Sequence, residues 1–186
     1  KAKTAADGHW CTGPGSEFVR SIKTALPDMK IIAEDLGYLT PDVRALLKES
    51  GFPGMKVLQF AFDSREESDY LPHNYHQNCV VYTGTHDNTT TEDWQSSAPA
   101  EDVRFAREYI HADSDDFTRQ FIRTAMASVG NTVIIPMQDW LQLGAEARIN
   151  TPSTLGGNWT WRMLPSAESA SLARQIAGMT CLYGRA

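Results

Sequence analysis

The sequence predicts an α/β fold in which about four short parallel strands alternate with helices. Three observations carry that reading: short apolar runs ending at acids or at an imidazole, segments of 3.6-residue apolar spacing between them, and turn residues at each change of pattern. Strands buried on both faces read as continuous apolar runs, and α/β enzymes keep their polar chemistry at the C-terminal ends of such strands.

The elements follow in order. Gly13-Pro14-Gly15-Ser16 is turn chemistry leading into a helix over residues 17–26, where Phe18, Ile22, Ala25 and Leu26 share a face and Pro27-Asp28 ends the run. Residues 30–33 form the first expected strand, which delivers Glu34-Asp35 and then Leu36-Gly37. Thr40-Pro41-Asp42 supplies an N-cap, a proline in the first helical position and an acid in the first turn, so a helix over residues 41–49 closes at Gly51. A second strand over residues 56–61 runs toward Asp63, and the polar, aromatic stretch 64–77 reads as a long loop of the kind that shapes a site. A third strand, Cys79-Val80-Val81-Tyr82-Thr83, leads directly to Thr85-His86-Asp87-Asn88. Helical spacing returns over residues 99–111 and 115–129, and residues 132–135 make the fourth strand, stopped by Pro136. A short helical turn over 139–144, a Gly/Asn/Pro-rich loop over 150–161 and a terminal helix over 166–183 complete the chain. Four such units are half of an eight-stranded barrel, which takes ~250 residues. The pattern therefore fits a compact four-stranded domain or the second half of a barrel.

Composition excludes several functions. With 186 residues, 41% apolar and 22% charged, the chain has the makings of one substantial core. A net charge of −6 without a basic cluster argues against a nucleic-acid partner. No window approaches the ~20 apolar residues of a bilayer span, and Lys1-Ala2-Lys3-Thr4 does not open a signal peptide, so no membrane partner is expected. Lys1 stands where an initiator Met would, and a processed, engineered or truncated start is expected. Cys11, Cys79 and Cys181 are odd in number and far apart, which fits a reducing, cytoplasmic setting rather than a disulfide framework. Asn88-Thr89-Thr90 and Asn158-Trp159-Thr160 would be glycosylation sites only in a secreted protein. His73, His76 and Cys79 can be drawn as a zinc set, but the histidines fall in an aromatic loop and Cys79 begins a buried strand, so no metal is expected.

Several separated motifs occur in one order: Ile32-Ala33-Glu34-Asp35-Leu36-Gly37, Gly51-Phe52-Pro53-Gly54-Met55-Lys56-Val57-Leu58-Gln59-Phe60, Tyr82-Thr83-Gly84-Thr85-His86-Asp87-Asn88 and Ile135-Pro136-Met137-Gln138-Asp139. With Gly13-Pro14-Gly15, Asn150-Thr151-Pro152 and Asn158-Trp159, they resemble the 4-α-glucanotransferases (amylomaltases, or disproportionating enzymes) of glycoside hydrolase family 77, over nearly the whole chain. The resemblance implies an α/β chain forming the C-terminal half of a (β/α)8 TIM barrel, with residues 1–186 as one part of a single catalytic barrel. It implies transfer of α-1,4-glucan segments between maltooligosaccharides with retention at the anomeric carbon. Glu34 then resembles the general acid/base on the fifth strand, Asp87 the transition-state-stabilising acid on the seventh, and His86 its sugar-binding neighbour. Asp63 and Asn158 resemble substrate-contacting positions, and Trp159 is the best candidate for stacking on a sugar ring. The family's nucleophile, an aspartate in an Arg-x-Asp-His-type motif on the fourth strand, has no counterpart in this sequence. The upstream half that carries it is expected to be missing, to be a partner of this chain, and to leave the chain alone inactive.

The chemistry accounts for the residue types. Retaining glycosyl transfer uses two carboxyl groups ~5 to 5.5 Å apart, one attacking and one moving the proton, around an oxocarbenium-like transition state. Glu34 has to hold its proton when the bond breaks and take one from the acceptor hydroxyl afterwards. Asp87 serves as a carboxylate facing developing positive charge. No metal or organic cofactor is needed. Plainer readings stand beside these: Glu34 and Asp35 as capping acids of a βα loop, His86 as a satisfied strand-end residue, Asp63 as a loop cap. A non-catalytic α-glucan-binding or protein-binding domain, and a retaining α-glucan hydrolase of the α-amylase type, remain the functional alternatives.

Overall fold

Three parallel strands in the order β1-β2-β3 carry the C-terminal unit of the chain. They are β1 (Gly54–Val57), β2 (Cys79–Tyr82) and β3 (Thr132–Ile134). The structure, a computed structural model, describes residues 4–37, 39–65 and 67–186. In register, Gly54 pairs with Cys79 and Val57 with Tyr82, while Val80 pairs with Thr132 and Tyr82 with Ile134. β2 is central, and its Cys79, Val80 and Val81 are buried, as a run of apolar residues covered on both faces requires. β3 lies at the edge, with Ile134 exposed.

The crossover from β2 to β3 runs through α3 (Thr91–Ser97), α4 (Ala100–Ile110) and α5 (Phe117–Ala127). α5 is the shared wall of two apolar clusters. Its Phe117, Phe121 and Ala125, spaced four apart on one stripe, join Leu58, Ala61, Phe62, Val81, Ala106 and Ile110. Phe62 sits at the centre, with ring centroids 5.6 Å from Phe121, 5.7 Å from Tyr109 and 5.8 Å from Phe105. On the neighbouring stripe, Ile122 and Met126 meet Trp140 of α6 (Met137–Trp140) and Met179 of α7 (Ala170–Leu182). The Arg185 guanidinium then donates to the carbonyls of Met126, Ser128 and Gly130, satisfying the open C-terminal end of α5.

Residues 1–53 form a separate unit. It contains α1 (Gly15–Ala25) and α2 (Pro41–Ser50). Pro41 opens α2, and Gly51 closes it with φ 65°, the left-handed stop expected of that glycine. Ser16 Oγ donates to Glu49 Oε2 at 2.7 Å, and Lys23 Nζ lies 5.2 Å from the centre of the Phe52 ring. Among the described residues no helix is long and apolar enough to cross a membrane.

The α/β class is as expected, but three of the four expected strands are present. Residues 30–33 form no strand ladder, although Ala33 N–H donates to Pro53 O at 2.9 Å. The second strand covers Gly54–Val57 rather than residues 56–61, because the chain tightens into a 3₁₀ turn at Leu58–Phe60. There Leu58 and Ala61, three apart, both reach the core, and Gln59 N–H turns to Thr83 O at 3.2 Å. α3 was not expected from the sequence, yet Thr90 caps it by accepting from Asp93 N–H at 3.2 Å, and Glu92 and Asp93 fill its first turn.

Gly130 lets β3 approach β2. A Cβ there would stand 2.6 Å from Val81 Cγ2 and 3.0 Å from Cys79 Sγ, both on the buried central strand. Gly130→Ala is expected to destabilise the protein by about 1–3 kcal/mol, the range for overpacking, as measured by chemical denaturation. Combining it with Val81→Ala should give a loss smaller than the sum of the two single losses, since the second change removes the clashing methyl.

Candidate active site

Thr83, the last residue before the loop that follows β2, is fully buried, and its hydroxyl donates to Asp139 Oδ2 at 2.5 Å. Thr91, at the start of α3, donates to the same carboxylate twice, from its N–H to Oδ1 at 2.8 Å and from its hydroxyl to Oδ2 at 2.9 Å. Asp139 on α6 therefore ties both ends of the loop 83–91. It is 1% exposed, and burial pushes its carboxyl above the usual aspartate range, against the pull of the Thr83 and Thr91 donors; the charge of Glu92 adds to the rise.

Inside the loop each position is occupied for a local reason. A Cβ on Gly84 would meet Gln59 Nε2 at 2.9 Å, while Gln59 itself donates to Thr89 O at 2.9 Å. Asn88 Oδ1 accepts from both the N–H and the hydroxyl of Thr85, each at 2.9 Å, and closes a turn with His86 and Asp87 at its tip. Their side chains are 52% and 51% exposed, with His86 Nε2 3.4 Å from Asp87 Oδ1. The His86–Asp87 pair is thus in solvent, while Thr83, Gly84 and Thr90 of the same loop are buried and Thr85, Asn88 and Thr89 are half-buried.

A second loop comes to the same place. Asn150 Nδ2 donates to Asp87 Oδ1 at 2.6 Å, and Arg148 Nη2 donates to the Asp87 carbonyl at 2.8 Å. The Trp159 ring lies over His86, with centroids 5.0 Å apart and planes tilted by 40°. Trp159 adopts a left-handed backbone, φ 62°, which a bulky residue holds only when its surroundings fix it. Here Trp159 N–H donates to Ile149 O at 2.7 Å. Asn158 closes the loop, its Oδ1 accepting from Thr151 N–H at 2.9 Å and its Nδ2 donating to Thr154 Oγ1 at 3.1 Å.

Of the residues singled out from the sequence, His86, Asp87 and Trp159 come together, and Asn158 shapes the loop that brings Trp159. Glu34 lies exposed in the N-terminal unit, outside any helix or strand and next to buried Asp35. Asp63 lines a depression with Leu71 and the α4 residues Glu101, Arg104, Phe105 and Glu108. Its carboxylate accepts from Arg65 Nε and Nη2, both at 2.7 Å, and from Arg65 N–H at 3.0 Å, which holds it at about pKa 2. His73 Nδ1 pairs with Tyr109 Oη at 2.9 Å, and Cys79 Sγ donates to His76 O at 3.0 Å. Sequence reading assigned no role to Asp139, Arg148, Asn150 or Gln59. The threonine-rich run from Thr83 to Thr91 and the acid after Pro136 were the available cues.

Residues 1–167 match the family profile described as 4-alpha-glucanotransferase. A 4-alpha-glucanotransferase of Clostridium butyricum is 46% identical over 185 residues, which make up 98% of this chain and 38% of that enzyme. One from Synechocystis is 45% identical over 186 residues, covering 98% of this chain and 37% of the enzyme. The amylomaltase from Streptococcus agalactiae, solved in complex with acarbose, superposes with a TM-score of 0.92 at 39% identity, over 99% of this chain and 38% of that one. The chain thus spans less than two fifths of the length of these relatives.

Asp139→Ala should cost at least about 1–3 kcal/mol by orphaning buried donors, and Asp139→Asn less, since an amide oxygen still accepts from Thr91 N–H. Because the folded-state pKa of Asp139 is raised, its contribution is most favourable below the ordinary aspartate value and declines as pH rises through the folded one. The Asn variant should therefore gain on the wild type in denaturation series run from acid toward neutral pH. Asp63 has the opposite sign: its contribution is full above 3.8 and is lost as pH falls through about 2. Carboxyl NMR titration should place Asp63 at about 2 and move it back toward 3.8 in Arg65→Ala.

Proposed function

This chain belongs to the 4-α-glucanotransferase family, glycoside hydrolase family 77, and from that premise we propose that it is the C-terminal part of one (β/α)8 catalytic barrel. The parent enzyme then moves α-1,4-glucan segments between maltooligosaccharides by retaining double displacement, with its nucleophile supplied by the upstream half. The observation that supports a catalytic role for this chain is the His86–Asp87 tip: exposed at the C-terminal end of the central strand, yet braced by Asn150, Arg148 and the buried Asp139 beneath. A surface held that rigidly suits preorganised electrostatics.

In this reading an upstream aspartate attacks the anomeric carbon while Glu34 gives its proton to the departing glycosidic oxygen. The leaving fragment diffuses away, and a hydroxyl of the acceptor glucan enters. Glu34 takes the hydroxyl proton, the acceptor oxygen displaces the aspartate, and the α configuration is restored. Asp87 accepts hydrogen bonds from ring hydroxyls that tighten as positive charge builds on the sugar, and His86 adds a polar contact. Trp159 offers an apolar ring face beside His86, Asn158 keeps the Trp159 loop closed, and Asp63 contacts the glucan farther along. Three cysteines far apart in the sequence, Cys11, Cys79 and Cys181, accord with a reducing, cytoplasmic setting.

The deciding experiment is Glu34→Gln in the parent enzyme. Transfer from maltotriose should fall by a factor on the order of 10²–10⁴, the range general acid–base catalysis contributes. First-step release from an activated maltosyl fluoride should stay near the wild-type rate, because fluoride leaves without a proton. Equal slowing on both substrates would remove Glu34 from the acid/base role.

A further inference from the structure

We propose that Arg148 and Asn150 are positioning residues for Asp87, which determine the carboxylate oxygen presented to the sugar; the proposal rests on the reading of Asp87 as the transition-state acid. Residues 148–150 follow the 3₁₀ turn Ala145–Ala147 and return to the loop after β2. The Arg148 guanidinium spans two main-chain carbonyls, donating from Nη2 to Asp87 O at 2.8 Å and from Nε to Asn150 O at 2.9 Å. One side chain thereby ties the backbone of the acid to the backbone of the residue that holds its carboxylate.

Asn150 does the holding. Its Nδ2 donates to Asp87 Oδ1 at 2.6 Å, and His86 Nε2 stands 3.4 Å from that same oxygen. Among the described residues no hydrogen bond reaches Oδ2, and the side chain is 51% exposed. Asp87 therefore has one braced oxygen and one open oxygen. The last torsion of an aspartate is broad and roughly two-fold, so without a donor on Oδ1 the carboxylate plane swings and Oδ2 loses its aim. The chemistry of the donor matters as well. A neutral amide orients the carboxylate and leaves its charge intact, whereas a cation in the same place would offset the charge that the transition state needs. The charge of Arg148 is directed at carbonyls instead of at the carboxylate.

The test is a double-mutant cycle in the parent enzyme, with maltotriose as substrate and melting temperature recorded for every variant. Asn150→Ala should lower kcat about ten- to a hundredfold, the scale of a misplaced reacting group, and change KM far less. Arg148→Gln should act in the same direction and more weakly, since the amide reaches one carbonyl. In the Asp87→Asn background the effect of Asn150→Ala should vanish, because a residue acting through Asp87 has nothing left to position. Effects that multiply in the cycle, or an unchanged kcat with a raised KM, would overturn the proposal and make Asn150 a direct sugar contact or a loop support. If Asp87→Asn alone leaves kcat intact, the reading of Asp87 fails. If Asp87→Asn is crippled while Asn150→Ala is not, the positioning role alone fails. Should Asn150→Ala melt early, Asn150→Ser, which keeps a polar group too short to reach Oδ1, carries the same expectations.

Discussion

Everything exposed at the end of β2 depends on one buried carboxylate. Asp139 takes three donors from Thr83 and Thr91, the residues at which the loop leaves the strand and enters α3. A hydroxyl or amide in its place could accept at one or two points, but a carboxylate offers two oxygens and about four lone-pair directions from one short side chain. Burying a charge is unfavourable unless its hydrogen bonds are made. The arrangement therefore holds all three partners at once or does not form, which gives the loop ends a defined separation.

On that fixed base the tip is built from contacts that are individually modest. Asn88 closes the turn, Arg148 and Asn150 reach in from the later loop, and Trp159 covers His86. The left-handed backbone at Trp159 costs on the order of 1–3 kcal/mol, and it persists because Ile149 O and the Asn158 bonds leave the loop little alternative. Strain at that residue places a large ring where a relaxed loop would not. Packing deeper in the unit, with Phe62 ringed by aromatics and α5 shared by two clusters, supplies the stability that such strain consumes.

Local chemistry was legible in the sequence and distant pairing was not. The β2 run, the His86–Asp87 tip after it and the Pro41-to-Gly51 helix all rest on neighbours a few residues apart, and they appear as expected. Residues 30–33 have strand composition, but a ladder needs a partner strand that composition cannot name. The run 56–61 is apolar throughout, and an unbroken apolar run does not show where a strand yields to a 3₁₀ turn. α3 escaped because seven residues barely display a period. For the candidate site, the position of Asp87 and His86 was visible, as polar residues ending a buried run. Asp139, Arg148 and Asn150 act across separations of 48 to 63 residues, and nothing at either end of such a pair announces the other.

Those separations also set an order of events. Asp87 emerges from the ribosome before its brace does, because Asn150 follows it by 63 residues. At the usual 5–20 residues per second, that interval is roughly 3–13 seconds of synthesis. For most of it the His86–Asp87 segment has its turn residues but neither its anchor at Asp139 nor its strap at Arg148 and Asn150. The Asp87 carboxylate gains its Asn150 donor only after those 63 residues have been made, so the strap closes over a loop whose ends Asp139, earlier in the chain than Asn150, is already able to tie.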